Sequence, residues 1–233
     1  MLSTFLQTAA DAIEAVPVQE ELSFSLIGMA AKGGWLMLVL LALSIVAIYI
    51  FGKKWWAIRQ AGKIDKNFIK DVDNYLMDGK IRSARALCKR SDTPVARMID
   101  KGVERIDKPL SDIRIAVENV ANVEVAQLEK GLPALATIAG GAPMIGFLGT
   151  VMGMVQAFFN MAQAGNNIDI TLLSGGIYTA MITTVGGLIV GILAYFGYNF
   201  LTAKVTSLVS KMEAASIEFL DAAQARKDSK TEA

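Results

Sequence analysis

The chain has 233 residues, 53% of them hydrophobic and 19% charged, with a mean hydropathy of +0.43, too apolar for an ordinary soluble domain. Its net charge of +1 offers no electrostatic basis for binding nucleic acid. Without histidine, and with Cys88 as its one cysteine, the chain excludes a His-based triad, a His metal site, a disulfide framework and a cysteine zinc site of its own. Cys88 reads as a small buried hydrophobe.

Residues 1–32 form the first segment. Leu2, Phe5, Leu6, Ala9 and Ile13 share one helical face, and Asp11 and Glu14 lie off it. The pattern fits a short amphipathic helix on the outer membrane surface, or a frayed terminus. It lacks the positive start of a cleavable signal. Residues 33–52 carry no charge and are long enough to cross a bilayer as the first transmembrane helix.

Residues 53–130 read as a helical cytoplasmic domain. Asp92-Thr93-Pro94 is a helix start, with a capping residue before proline at the first helical position. Lys108-Pro109 breaks the chain. Leu110, Ile113, Val117 and Val120 then recur at helical spacing, and the pattern predicts one long helix running past Glu124 and Leu128 into the second span. The basic residues here alternate with acids such as Asp71, Asp73, Glu104 and Asp112, as on a solvated face. There is no phosphate-binding glycine loop, nucleotide fingerprint or metal-ligand cluster, so no cofactor is expected.

Residues 131–163 and 170–203 are the second and third transmembrane helices with their extensions. A periplasmic loop at 164–169 joins them, and a cytoplasmic tail fills 204–233. The charge-free stretch 131–168 would run to about 57 Å as a helix, against a hydrocarbon core of ~30 Å. These helices are therefore expected to project from the membrane. Orientation follows from Lys and Arg. Residues 1–31 hold none, residues 53–130 hold 17, the loop at 164–169 holds none and the tail from Lys204 holds five. The N-terminus is thus expected outside and the C-terminus inside. The fold class is an all-α integral membrane protein with three transmembrane helices and long helical extensions.

The second span shows a small, partly polar face: Pro143, Gly146, Thr150, Gly153, Ala157 and Asn160. The third shows a matching one: Ala180, Thr184, Gly187, Gly191, Ala194 and Tyr198, with Thr179 and Thr183 beside it. Small residues let membrane helices approach closely, and Ser or Thr hydrogen-bond between them. Packing alone accounts for most of the glycines. Pro143 removes a backbone donor, which suits a kink. The threonine hydroxyls, each donor and acceptor, suit an ion pathway or oriented water. They do not titrate near neutral pH, and the spans contain no Asp, Glu, Lys or Arg. A proton relay in a membrane usually needs a carboxylate. The titrating group is therefore expected on another chain, unless the protein is an uncoupled scaffold.

The stretch from Ala142 through Pro143, Gly146, Gly149, Thr150 and Val151 to Gly153 fits the pattern AP-x-x-G-x-x-GTV-x-G. A second stretch, Gly176 to Leu188, is followed by Ala194-Tyr195 and Tyr198-Asn199. With these motifs the chain resembles the MotA/TolQ/ExbB proton channel family, most of all its three-span ExbB and TolQ members, over nearly its whole length from Gly33. The resemblance implies a homo-oligomer, a pentamer in the bacterial inner membrane, whose second and third spans line a pore. It implies a dimer of single-span ExbD- or TolR-like partners in that pore, with an Asp that titrates as protons cross. It also implies work delivered through a TonB-like transducer for nutrient import. The family's pore threonines fall on Thr150 and Thr184. Many ExbB proteins carry Glu where this chain has Thr179, and the set Thr179, Thr183 and Thr184 also resembles a sodium site; family frequency favours protons. Alternatives are a TolQ-like envelope motor, a gliding motor or a passive oligomeric scaffold. An enzyme is the weakest reading, since no nucleophile–base pair is present.

Overall fold

The computed structural model describes residues 34–63, 67–163 and 170–231. The amphipathic segment expected near the N-terminus and the loop at 164–169 lie outside the described residues. Among the described residues seven helices follow one another: α1 Gly34–Ala61, α2 Phe68–Met77, α3 Ile81–Ser91, α4 Pro94–Glu104, α5 Leu110–Glu129, α6 Leu132–Gln163 and α7 Ile170–Thr231. No strand occurs among the described residues.

The local stops and starts have identifiable causes. The α2–α3 turn passes through Gly79 at φ +70°, and Asp92 closes α3 in the left-handed region at φ +41°. Both are conformations that glycine and Asp tolerate best. Thr93 then caps α4, its Oγ1 accepting the Ala96 N–H at 3.3 Å, with Pro94 at the first helical position. Pro109 sits at the N-cap of α5. The helix start at 92–94 and the break at 108–109 are therefore where the sequence places them.

Among the described residues, three helical stretches are long and apolar enough to cross a membrane: α1, the α5–α6 unit and α7. α1 runs nine residues beyond Gly52. The charges from Lys53 onward mark a change of solvent, and the helix continues because its backbone bonds are internal. One expectation needs correction. The helix from Leu110 does not pass unbroken into the second span. It ends at Glu129, Lys130 turns to φ −53°, ψ 121°, and Gly131 takes φ +94° before α6 begins. Lys54 of α1 donates to the carbonyls of Gln127 (2.8 Å) and Leu128 (3.3 Å), satisfying acceptors that the interrupted helix leaves open. The residues from Lys204, expected as a tail, are helical. They continue α7, a single helix of 62 residues, or about 93 Å.

α7 belongs to two cores. Its first half pairs with α6 along their lengths, and α1 packs on both. Leu40, Leu128, Leu135, Ile138, Ala194 and Leu201 lie in the core these helices share. Its second half closes a lobe made by α2–α5, where Met212, Ala215, Phe219 and Ala223 meet Val72, Leu76, Ile99 and Ile113. Phe219 fills a notch at Gly102, where any Cβ would collide with its ring. Cys88 is buried in this core, as expected. Ion pairs ring the lobe. Arg97 forms a two-bond fork with Glu124, both bonds at 2.7 Å, and reaches Asp92 at 2.8 Å; Arg85 spans Asp100 (3.0 Å) and Glu104 (3.2 Å).

Candidate functional site: the threonine seam between α6 and α7

The two small faces meet each other. A Cβ added at Gly146 would stand 2.9 Å from the Thr183 carbonyl oxygen and 3.2 Å from the Gly187 Cα. At Gly187 it would stand 2.6 Å from the Ala142 carbonyl oxygen, and at Gly153 2.6 Å from the Ala180 Cβ. The Pro143 ring occupies the hollow at Gly191, within 2.5 Å of where a Cβ would be. Farther along, Ala157 lies in the same relation to Gly176, at 2.7 Å. Backbone approach of this kind is what small residues permit in a bilayer, where apolar bulk confers no preference for helix over lipid. Pro143 is accommodated inside one continuous α6.

At the centre of the seam the hydroxyls of Thr150 and Thr184 are hydrogen-bonded to each other. Thr184 also donates to the Gly146 carbonyl at 3.0 Å. Thr150 approaches the same carbonyl at 3.3 Å and that of Ala180 at 3.4 Å. Both residues are half-buried. The Gly146 carbonyl is thus shared by a hydroxyl from each helix, and the absence of a side chain there is what admits Thr184. Two hydroxyls and two carbonyls form a compact polar island in charge-free sequence. It can pass a hydrogen bond along or orient a water, and it has no group that changes charge near neutral pH.

Thr183 is placed differently. It is 3% exposed, its hydroxyl donates to the Ala180 carbonyl at 2.6 Å, and its side chain packs where Gly149 and Leu36 of α1 converge. It therefore belongs to the three-helix junction, while its neighbour Thr184 faces the seam. Thr179 lies one turn earlier and is half-buried. Asn160 is exposed and accepts from the Gln156 amide at 2.9 Å. Ala180 and Ala194 are buried.

Sequence spacing missed the contribution of α1. Leu36 reaches Gly149, and Met37 stands 2.9 Å from where a Gly186 Cβ would be. Both are ordinary apolar residues in a uniform run, so no pattern marks them. Gly149 lay within the motif but outside the spaced face. The outer faces of the same helices present large apolar side chains, among them Met144, Phe147 and Val155 on α6 and Met181, Leu193 and Phe196 on α7. Such bands suit lipid or neighbouring chains.

The family model described as the MotA/TolQ/ExbB proton channel family matches residues 90–214, which contain the whole seam. Among curated relatives, an ExbB homolog of Methanothermobacter thermautotrophicus, named as a biopolymer transport protein, is 28% identical over 79% of this chain and 66% of its own length. ExbB-like 1 of Synechocystis is 27% identical over 74% of this chain and 68% of its own. The biopolymer transport protein ExbB of Neisseria gonorrhoeae is 35% identical over 46% of this chain and 48% of its own. The chain thus spans less than two thirds of the first and about half of the third of these relatives.

Proposed function

The chain belongs to the MotA/TolQ/ExbB proton channel family, and from that premise we propose that it is the ExbB-like subunit of a proton-driven motor in the bacterial inner membrane. In this reading the N-terminus is periplasmic, and the lobe of α2–α5 with the end of α7 is cytoplasmic, which agrees with the distribution of Lys and Arg. Five copies surround a pore occupied by a dimer of single-span, ExbD-like partners. The partner's Asp supplies the titrating group that this chain's spans lack. Thr150 and Thr184 supply hydroxyls along the proton's path, with Thr179 and Thr183 behind them. The resulting motion works on a TonB-type transducer for import through the outer membrane.

The observation that carries the reading is the Thr150–Thr184 hydroxyl pair, set in a seam without any charged residue. It is tested by co-expressing the chain with its ExbD-like partner in a strain lacking its own system, and measuring growth on a TonB-dependent iron source. Thr150→Val and Thr184→Val should assemble normally and lose growth, and Thr150→Ser should restore it. Full growth of both valine variants would remove the hydroxyls from the pathway.

A passive scaffold is favoured by one feature of the same pair. The two hydroxyls bond to each other and to carbonyls of their own chain, so they also serve as glue within one subunit. On that reading the valine variants weaken the α6–α7 contact, by about 1 kcal/mol for a bond of this kind, and activity follows stability.

A further inference from the structure

We propose that the groove between α1 and α7, on the side of the membrane where the charges begin, binds one anionic phospholipid. The groove has two compartments. The inner one is a cavity of about 520 Å³, lined by Ser44, Ala47, Phe51, Val190, Ala194 and Gly197 among others, and almost wholly apolar. The outer one, of about 510 Å³, is lined by Trp55, Arg59, Lys204 and Lys211 over a floor of Ile58, Leu201 and Leu208. Three aromatic rings stand where the compartments meet. Trp55 lies 6.3 Å from Phe51 and 5.0 Å from Phe200, centroid to centroid. The Lys204 ammonium lies 5.7 Å from the Phe200 ring centre. Tryptophan at this level and a cation folded over an aromatic ring are features of the membrane–water boundary.

The dimensions agree with a lipid. From Ser44 to Phe51 the apolar compartment follows α1 for about 10 Å, and the groove reaches Trp55 of the outer compartment at about 16 Å, half of a hydrocarbon core of ~30 Å. That is the depth one acyl chain of a single leaflet occupies. The helices are held apart by fixed contacts there. Phe51 leans on Gly197, 3.1 Å from where a Cβ would stand.

The charge agrees with an anionic headgroup. Three cations line the outer compartment and no acid does. Arg59, Lys204 and Lys211 form no ion pair among the described residues, whereas Arg85, Arg97 and Arg226 of the lobe all do. A basic pocket between helices, at the level of the headgroups, is the setting in which anionic lipids are recognised. Free phosphate would satisfy the cations and leave the apolar compartment unfilled, so the lipid is the occupant that uses both.

The test uses the purified full chain with two lipids of identical chains, dioleoyl-phosphatidylglycerol and dioleoyl-phosphatidylcholine, with retention read by native mass spectrometry. The wild type should retain the anionic lipid about tenfold better or more, at a several-fold contribution per cation. The triple variant Arg59→Gln, Lys204→Gln, Lys211→Gln should lose most of that preference. Arg59→Lys alone should keep it, as should Arg82→Gln with Lys89→Gln and Arg90→Gln on α3. Equal retention of both lipids by the wild type would overturn the proposal, as would equal losses in the groove and α3 triples, or competition of the retained lipid by inorganic phosphate alone. A second measurement leaves the groove cations intact. In a Trp35→Phe, Trp56→Phe chain in phosphatidylcholine vesicles, Trp55 fluorescence should be quenched more by brominated phosphatidylglycerol than by the same amount of brominated phosphatidylcholine. Equal quenching would count against the site.

Discussion

At Gly187, in the half built on α6, a missing side chain lets two backbones touch; at Gly102, in the lobe, a missing side chain makes room for the ring of Phe219. The two glycines serve different solvents. In water, burying a large ring removes apolar area and stabilises the fold directly. In a bilayer a large side chain is as comfortable in lipid as against protein, so association rests on close backbone approach and hydrogen bonds. The same division governs polar groups. The lobe surrounds its core with ion pairs, Arg97–Glu124 and Arg85–Asp100 among them, while the seam uses only hydroxyls and carbonyls.

That contrast can be broken by substitution. Phe219→Ala should cost the lobe about 3–5 kcal/mol, as emptying a buried aromatic site does. Hydrogen exchange should then show α2–α5 opening while the α6–α7 seam stays protected; equal exposure of both halves would mean they fold as one unit. Gly187→Val should act in the opposite place, at about 1–3 kcal/mol or more, because the carbonyl of Ala142 cannot move aside within an intact helix. Detergent-resistant assembly should fall and the lobe's exchange should be unchanged. Glu124→Gln keeps the shape of a buried carboxylate, 7% exposed, and removes its charge. Arg97, whose guanidinium is held above its usual range chiefly by the hydrogen bonds it donates to Glu124, remains partly solvated. The expected loss is about 1–2 kcal/mol in the thermal unfolding of the lobe.

The smallest effect concerns Cys88. Burial in the lobe pushes its thiol up to about 12. Only the thiolate reacts, so maleimide should fail to label the native protein at pH 8 and should label it fully in denaturant. The sign follows from the raised value. The folded lobe favours the neutral thiol, and this contribution to stability is present below the unfolded thiol's pKa and fades as pH rises toward 12. Rapid labelling without unfolding would show that the core around α3 opens on its own.

The sequence announced the seam well and the lobe's closure poorly. Spacing of three and four placed Gly146, Thr150 and Gly153 on one face and Thr184, Gly187 and Gly191 on another, and the two faces do meet. The same spacing put Thr184 on the face and Thr183 beside it, and the ~100° between helix neighbours is enough to send Thr184 to the seam and Thr183 to the junction with α1. The break at Gly131 was hidden. A lone glycine between two helical patterns is tolerated in a helix as readily as it ends one. The continuation of α7 was recoverable. Leu201, Val205, Leu208, Met212, Ala215 and Phe219 recur at threes and fours through the charged stretch, and all are buried. The charges drew attention to a change of solvent and away from an unbroken period.

The length of α7 gives the molecule a shared angular register. Thr184 at the seam and Phe219 in the lobe lie on one helix with no break between them, so the bearing of one sets the bearing of the other. One residue inserted between Tyr198 and Leu201 would swing Phe219 by ~100° off its notch while lengthening the helix by only ~1.5 Å. Seven inserted residues would return it to within ~20° of its original bearing, though displaced by two turns. The lobe is therefore tied to the bilayer half by phase more than by distance, and a twist applied at the threonines arrives at Gly102 as a twist.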